Sequence, residues 1–594
     1  MILQILLMTY ALTPGKLEVL AGELSGLHID LLFAAAGMAV ILWINRENNL
    51  RKNKWLKLLC AFFAFTTVLG ESYYVLDNWN YLFGSVSQFL IALLVMAGYF
   101  FLYLNLISVG GYAIKHFGEI RRTEPRGKLE NVLFEEHPFC AVFLFAMLFS
   151  IPYMISFYPG TIQSDAFEQL YNYMGIIEFS NHHPVVSTKI MGKCIAIGRE
   201  VFGSDNIGLF IYTLSQSVLQ WTGIAYLFCV LKKMDTPIWI RWFGLLFLTV
   251  FPLYPMWGYT LVKDTQYYIS LLFFAVSFTD ILLDGAEKRK HWKKIVFCCA
   301  AYSMILCRKD GRYVVALALI GYVFFYRKQW KMYLFTGISG FLILFAVEQI
   351  YMPAHGITEG RIAEALSIPI QQTARYARDH GDEITAEENQ VMSELFDDYS
   401  ELGLTYTPEI SDASKRRMID NPTKEQLKDY VKVWFAQFCK HPDTYFQAFF
   451  NQTYGYFYAD RKDSHETPVV AQLLGREELL PEEFHIGVSF IPQLKEARTF
   501  LNGITNLTTK LPVIALLYSA GFHGYLLIGC VIYICAGKRK KDILYMAPSL
   551  LTFLVCILSP VNGGLRYMLP VMILLPLNIS WCAYCEKTGE KTDK

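Results

Sequence analysis

The chain has 594 residues, of which 54 % are hydrophobic, 15 % aromatic and only 18 % charged. The mean hydropathy of +0.31 excludes an ordinary soluble enzyme, and the length exceeds what a single core holds. The net charge of +1 indicates no particular partner, and no nucleic-acid-binding signal occurs, so we predict no nucleic-acid partner.

Apolar runs of roughly 18 or more residues recur along the chain, and each is long enough to span ~30 Å of hydrocarbon. They predict an all-α polytopic membrane protein with about 13 transmembrane helices. In chain order the runs lie near residues 27–45, 55–75, 82–113, 138–157, 207–231, 238–256, 266–284, 294–307, 313–327, 332–351, 511–535, 543–560 and 566–584.

Lys and Arg predict the orientation of these spans, because they accumulate in short cytoplasmic loops. With thirteen spans and an external N-terminus, all of the basic clusters fall in the cytoplasm; they lie at 46–54, 115–128, 232–241, 288–294, 327–331 and 538–541. The segments of mixed polar chemistry then fall outside; they are 158–206, 259–266, 308–312, 352–510 and 560–566. We therefore predict a multi-pass protein of the cell membrane whose active site faces the extracytoplasmic side.

Four segments follow from this topology. Residues 1–137 form an N-terminal transmembrane addition of three spans, and residues 138–351 form a transmembrane core with the first external loop at 158–206. Residues 352–510 form a mostly helical extracytoplasmic domain, and residues 511–594 form the C-terminal transmembrane helices.

Within the 352–510 insert, apolar spacing predicts helices at 368–379, 385–399 and 426–440. Thr385 is the predicted N-cap of the second helix, with Glu388 three residues on. The aromatic stretch 443–458 suits the plane of the membrane interface.

Asp165 begins an amphipathic helix in the first external loop. It is either a helix-end charge beside a cap at Thr161 or Ser164, or a general base, or a ligand for a hard divalent cation that holds a phosphate. Glu168, one turn further on, is either a solvated neighbour or faces the same way. We count Glu168 and the adjacent Gln169 as supporting residues.

Two further pairs bring polar groups to the same side. His182 and His183 are weak as a metal motif, because adjacent side chains diverge. They are either a packing element of the loop, or one of them binds a phosphate or supports the base. Lys263 and Asp264 are either an interfacial ion pair, or a phosphate contact and a second carboxylate facing Asp165.

Arg308 and Arg312 lie in an external turn, against the positive-inside trend, where cations at membrane level need a partner or an anionic ligand. Arg566 and Tyr567 open the last span. They are either an interfacial anchor or a phosphate clamp, with the turn at 563–564 letting backbone N–H groups approach the anion.

The chain resembles GT-C-type glycosyltransferases in its layout, in which a spanning helix is followed by a long external loop with an early acidic residue. It is also similar to them in the segments YPGTIQSD, HHPVV, KD and RYMLP. These multi-spanning enzymes use a polyprenyl-phosphate-linked sugar as donor. The resemblance implies a GT-C-like core from residue 138, with Asp165 as the catalytic residue of the first loop. It matches Lys263 and Asp264 to the polar site of the second loop, and Arg566 to the late arginine that binds the donor phosphate.

The chain departs from the family pattern in two places. The first loop has one Asp rather than an acidic pair, and the absence of a WWDYG-like motif argues against the oligosaccharyltransferase subclass. Metal dependence stays open, because some members of the superfamily use a divalent ion and others do not. No cofactor is therefore certain. A divalent cation, Mg²⁺ or Mn²⁺, would use Asp165 and Asp264 if one is present.

We accordingly expect transfer of a sugar from a lipid-linked donor, among membrane lipids, to a polar extracytoplasmic acceptor such as a cell-surface polymer, lipid or protein. A single displacement would invert the anomeric centre, with Asp165 deprotonating the acceptor and His182, His183, Lys263, Arg308, Arg312 and Arg566 around the phosphate. A transporter or flippase for a lipid-linked anion is the alternative, and it would favour an inverted repeat and charges at mid-span. In a non-enzymatic assembly or sensor protein, Asp165 would be replaceable.

Overall fold

The computed structural model describes residues 2–13, 16–17, 29–46, 48–116, 118–284, 291–459, 486–537 and 540–591. Residues 288–290 and 538–539 of two basic clusters, residues 27–28 of the first predicted span and residues 460–485 of the predicted insert lie outside this set. The regular structure is almost entirely helical. The helices before residue 138 are α1 (Ile2–Ala11), α2 (Ile29–Ile44), α3 (Lys54–Leu76), α4 (Asn80–Phe83), α5 (Val86–His116) and α6 (Lys128–Asn131).

The remaining helices follow in three groups. Those of the predicted core are α7 (Pro138–Ser156), α8 (Ser164–Met174), α9 (Val185–Phe202), α10 (Asp205–Lys233), α11 (Ile238–Leu245), α12 (Leu253–Trp257), α13 (Lys263–Asp284), α14 (His291–Cys307), α15 (Lys309–Phe325) and α16 (Trp330–Ala346). Those of the insert are α17 (Met352–Ala354), α18 (Ser367–Asp379), α19 (Ala386–Ser393), α20 (Tyr399–Leu402), α21 (Asp412–Arg416), α22 (Lys424–Lys440), α23 (Pro442–Asn451) and α24 (Lys495–Lys510). The last are α25 (Pro512–Ala515), α26 (Ala520–Ala536), α27 (Ala547–Ile557), α28 (Leu565–Ile573) and α29 (Leu575–Lys591).

Seven helical segments among the described residues are long and apolar enough to cross a membrane: Lys54–Leu76, Val86–Ile114, Pro138–Ser156, Asp205–Lys233, Lys263–Asp284, Arg327–Ala354 and Leu565–Thr588. The pair Pro492–Lys510 and Pro512–Tyr518, bent by 96°, adds an eighth if it counts as one span. An all-α membrane protein is therefore confirmed. The other predicted spans fall on shorter helices, and the number of about thirteen stays a prediction.

Three of the spanning segments form the centre of the bundle. Helix α13, the segment Leu565–Thr588 and helix α10 are the most buried of the seven, whereas Arg327–Ala354 is mostly exposed and offers its apolar side chains to lipid. The central helices α13 and α28 begin with the polar residues that the sequence singles out.

The last turns of α13 carry a buried ionic cluster. Asp280 is 2 % exposed, pairs with Lys293 Nζ at 2.8 Å and also contacts Lys233. Asp284 pairs with the same two lysines. Lysines that the sequence assigns to the cytoplasm thus lie at the end of α13 opposite to its first turn.

A two-residue parallel pairing joins two of the polar loops. Strand β1 (Thr161–Ile162) pairs with β2 (Thr260–Leu261) in the register Thr161 to Thr260. Gln216 of α10 holds the second loop, because its Nε2 donates to Gly258 O at 3.0 Å and to Thr260 O at 2.8 Å. The sequence analysis did not predict these strands, which fix the starts of α8 and α13 side by side.

The helical prediction for the insert holds with corrected bounds. Helix α18 matches 368–379, and α22 matches 426–440. Thr385 and Glu388 form the expected capping box, but α19 ends at Ser393 rather than at 399. The aromatic stretch 443–458 packs partly inward, because Tyr445 and Ala448 of α23 are buried.

The N-terminal helices pack against the rest of the chain. Phe63 of α3 stacks on Tyr525 of α26 with ring centroids 4.0 Å apart. In the insert, Asn451 Nδ2 donates to the carbonyl oxygen of Asp77 at 2.7 Å. Residues 1–137 therefore form contacts with both the insert and the C-terminal helices.

Candidate functional site

Asp165 and Lys263 meet at the start of α8 and α13. Lys263 Nζ donates to Asp165 Oδ2 at 2.6 Å, and Arg566 Nη1 lies 3.4 Å from the same oxygen. Burial by itself would raise the pKa of Asp165, but the charges of Lys263, Arg566 and His183 hold it well below its usual range. The Asp165 carboxylate is therefore ionised at neutral pH.

Asp264 is the buried centre of the same network. It is 1 % exposed, with Arg308 Nη1 2.7 Å from Oδ1 and Arg566 Nε 3.5 Å from Oδ2. Arg566 therefore bridges Asp264 and Asp165. Lys263, Arg308 and Arg566 face these two carboxylates. Arg308 Nε also lies 3.4 Å from Asp310 Oδ2, so three cations and three carboxylates balance in the network.

Helix ends and the β1–β2 pairing place these carboxylates. Asp165 and Asp264 each lie in the first turn of a helix, where the helix dipole favours a negative charge. The expected cap at Thr161 or Ser164 is wrong: Gln163 precedes α8, and it makes no side-chain capping bond. Asp165 is thus held by cations and by backbone pairing rather than by a conventional cap.

His183 extends the network on the other side of Lys263. Burial, and then the Lys263 charge, lower the pKa of His183, so its ring is neutral at pH 7. Its Nδ1 lies 2.9 Å from Lys263 Nζ, which only donates, so Nδ1 accepts and Nε2 carries the proton. His183 Nε2 lies 3.5 Å from Glu168 Oε2, and the His182 ring packs 4.5 Å from the His183 ring.

Gln169 is part of the packing behind this network. Its buried Nε2 donates to Ser187 Oγ and Thr188 Oγ1, each at 2.9 Å. The side chain thereby joins α8 to α9, which follows the two histidines. Its supporting role is to position these two helices.

Two tyrosines enclose Arg308. The guanidinium carbon lies 4.9 Å from the centre of the Tyr267 ring and 5.4 Å from that of Tyr567. Tyr567 Oη also accepts from Arg566 Nη2 at 3.1 Å. Tyr567 thus holds two of the three cations, and Tyr267 is a site neighbour that the sequence analysis did not single out.

Arg312 belongs to an adjoining groove rather than to the network. Its Nη1 pairs with Glu348 Oε1 at 3.2 Å. With Lys309 it lines a groove whose walls include Val185 of α9 and Leu344 of α16. The turn before it is tight, because a Cβ on Gly311 would collide with the carbonyl oxygen of Met304.

The network does not fit Mg²⁺ or Mn²⁺ at Asp165 and Asp264. Lysine and arginine nitrogens already face both carboxylates, and a dication would be repelled by them. The arrangement instead suits a polyanionic ligand that competes with the carboxylates for the three cations.

Contacts from the insert position the turn that carries Arg566. Asn562 N donates to Glu409 O at 2.9 Å, and Gly455 N donates to Asn562 Oδ1 at 2.6 Å. The Gly564 N–H donates to Tyr456 Oη at 3.2 Å, so this amide is not directed at an anion as expected. Sequence reasoning missed these insert residues, because no local pattern marks them.

The insert also contacts the first loop. Thr358 N donates to Phe179 O at 3.0 Å, and Asn181 N donates to Thr358 O at 2.7 Å. The segment before His182 is therefore fixed from the insert side. Both ends of the network, at His183 and at Arg566, are thus supported by residues between 352 and 459.

The chain belongs to the family described as DUF6020, a family of unknown function, which matches residues 175–594. No curated protein and no solved structure matches the chain. The match contains His182, His183, Lys263, Asp264, Arg308 and Arg566, and it begins ten residues after Asp165.

Proposed function

We propose that this protein is an integral membrane glycosyltransferase of the GT-C type. It transfers a sugar from a polyprenyl-phosphate-linked donor to a polar extracytoplasmic acceptor, with inversion. The observation that carries the proposal is the convergence of Asp165, Lys263, Asp264, Arg308 and Arg566 in one network at one end of the helix bundle. Four segments contribute to it, and the first and the last are about 400 residues apart in sequence.

The position of Arg566 supports a phosphate leaving group. When the glycosidic C–O bond breaks, the electron pair passes to the lipid phosphate, which gains negative charge. Arg566 lies between the two carboxylates and has an adjacent aromatic support in Tyr567. A guanidinium in this position binds a phosphate through two parallel N–H groups.

The resting contacts of Asp165 support its role as the base. Lys263 and Arg566 now hold its carboxylate. When they turn to the donor phosphate, the attraction that lowers the pKa of Asp165 weakens, and the carboxylate becomes a stronger base. Asp165 then takes the proton of the acceptor hydroxyl as that oxygen attacks the anomeric carbon.

Neutral His183 supports this exchange. Its Nδ1 accepts from Lys263, so it offers the ammonium a second partner when Asp165 releases it. Glu168 Oε2 lies 3.5 Å from Nε2 of the same ring, on the side that carries its proton. The two residues position Lys263 and do not contact the reacting atoms.

The test uses the full-length protein in lipid nanodiscs and a panel of radiolabelled polyprenyl-phosphate hexoses and pentoses. Release of polyprenyl phosphate is measured, with detergent-solubilised envelope lipids and polysaccharides as acceptors. Wild type is expected to turn over at least one donor, and Asp165→Asn to be slower by about 10²–10⁴-fold, the usual contribution of a general base.

The matched control is Glu178→Gln, which removes an exposed carboxylate from the same loop and should leave release unchanged. Full activity of Asp165→Asn, or no release by wild type from any donor of the panel, would overturn the assignment. Uptake of an intact lipid-linked donor across proteoliposomes without release would instead establish the transporter class.

A further inference from the structure

Two histidines and a glutamate converge in the insert, away from the ion network. His380 follows α18, Glu383 lies three residues later, and His441 joins α22 to α23. Glu383 Oε1 lies 3.3 Å from His380 Nδ1, and Oε2 lies 2.8 Å from His441 Nε2. One ligand atom from each residue lies within 4.8 Å of the other two.

The second nitrogen of His380 also has a partner. Its Nε2 lies 3.0 Å from Thr444 Oγ1. When Nε2–H donates to this hydroxyl, the lone pair of Nδ1 points at the Glu383 carboxylate, so two hydrogen-bond acceptors face each other. A cation bound between Nδ1 and the carboxylate removes this repulsion. The Thr444 hydroxyl then fixes the His380 tautomer, as hydrogen-bond partners of metal-binding histidines do.

The geometry directs both imidazoles at one carboxylate. Their rings stack with centroids 3.6 Å apart, and each presents a nitrogen to an oxygen of Glu383. The cations next to the two histidines in sequence are paired with other carboxylates, Lys440 with Glu388 at 2.8 Å and Arg378 with Asp379 at 2.7 Å. The three ligand side chains are between 22 % and 48 % exposed, so an ion can enter from solvent.

We propose that His380, Glu383 and His441 bind a transition-metal dication of the Zn²⁺ class. Two imidazole nitrogens with one carboxylate are a ligand set for Zn²⁺, with the fourth position open to water. Mg²⁺ and Ca²⁺ prefer oxygen ligands and bind this set poorly. The bound ion connects the end of α18 to the corner between α22 and α23, and so stabilises the insert.

The experiment titrates Zn²⁺ into the chelator-stripped full-length protein against a chromophoric chelator, and it follows the melting temperature in parallel. Wild type should bind Zn²⁺ and melt at a higher temperature with the metal, and Mg²⁺ should cause neither effect. His441→Gln and Glu383→Gln should each lose one bound equivalent, or at least tenfold in affinity. His355→Gln, at an exposed histidine of the same insert, should bind as wild type does.

His441→Cys separates ligation from packing. A thiolate also binds Zn²⁺, so this variant should keep the metal although it lacks the stacked ring. Failure of wild type to bind Zn²⁺, unchanged stoichiometry in both Gln variants, or loss of the metal in His441→Cys with an intact apo fold would overturn the proposal.

Discussion

Asp264→Asn is expected to destabilise the protein far more than Asp165→Asn, although both carboxylates belong to the ion network. Asp264 is 1 % exposed and Arg308 7 %, so the change leaves a buried guanidinium without its nearest carboxylate. Removing one partner of a buried pair costs about 3–5 kcal/mol of unfolding free energy. Asp165 is 25 % exposed and Lys263 16 %, and solvent screening reduces the cost of the matching change to about 1 kcal/mol.

The assay compares the free energy of unfolding of wild type and both variants by denaturant titration in one detergent. A third variant, Asp264→Asn with Arg308→Gln, removes both charges of the buried pair and should recover about half of the loss, because the nearest unpaired guanidinium is gone. Equal destabilisation by the two single variants, or no recovery in the third, would refute the assignment of Asp264 as the buried centre.

Four further outcomes follow from the described contacts. Arg566→Gln should lower the release of polyprenyl phosphate at least about tenfold and Arg566→Lys should retain part of it; wild-type release by the Gln variant would contradict the phosphate role. The pKa of His183 lies below its ordinary value of 6.5, so the unfolded chain binds a proton that the folded one does not, and stability falls as the pH drops through about 6.5. His183→Asn should therefore melt with a smaller dependence on pH than wild type, and an equal slope would count against the buried neutral ring. Gly311→Ala should cost about 1–3 kcal/mol, since its Cβ meets the Met304 backbone, and thermal unfolding measures the loss. Asn562→Ala should speed hydrogen exchange at Gly455, whose N–H loses its acceptor. An unchanged exchange rate would show that this hydrogen bond does not hold the insert to the turn before Arg566.

The membrane class and many of the polar residues could be predicted because both leave local signals. Apolar length marks a spanning helix in any sequence. Charged residues next to such helices stand out, and a consistent orientation assigns Asp165, Lys263 and Arg566 to one side. Their meeting in one network therefore agrees with the predicted topology, while their chemical roles stay proposals.

Other features depend on pairings between distant residues, and no local pattern reports them. Strands β1 and β2 have two residues each, too few for any periodicity. The Asn562 contact with Glu409 joins residues 153 positions apart. The predicted cap of α8 was wrong for a different reason. A Ser or Thr near a helix start predicts a cap, but here the backbone pairing at Thr161 fixes the chain just before α8.

Helix α13 also sets the depth of the site relative to the bilayer. Asp264 and Asp280 lie near its two ends, and both are almost fully buried among cations. At 1.5 Å per residue they are about 24 Å apart along the helix axis, less than the ~30 Å of an average hydrocarbon layer. The whole helix has 22 residues and is about 33 Å long, so it can cross such a layer, and the two buried aspartates then lie slightly inside the two membrane surfaces. Under the proposed function, a lipid-linked donor has to bring its phosphate slightly below the headgroups to reach the cations around Asp264.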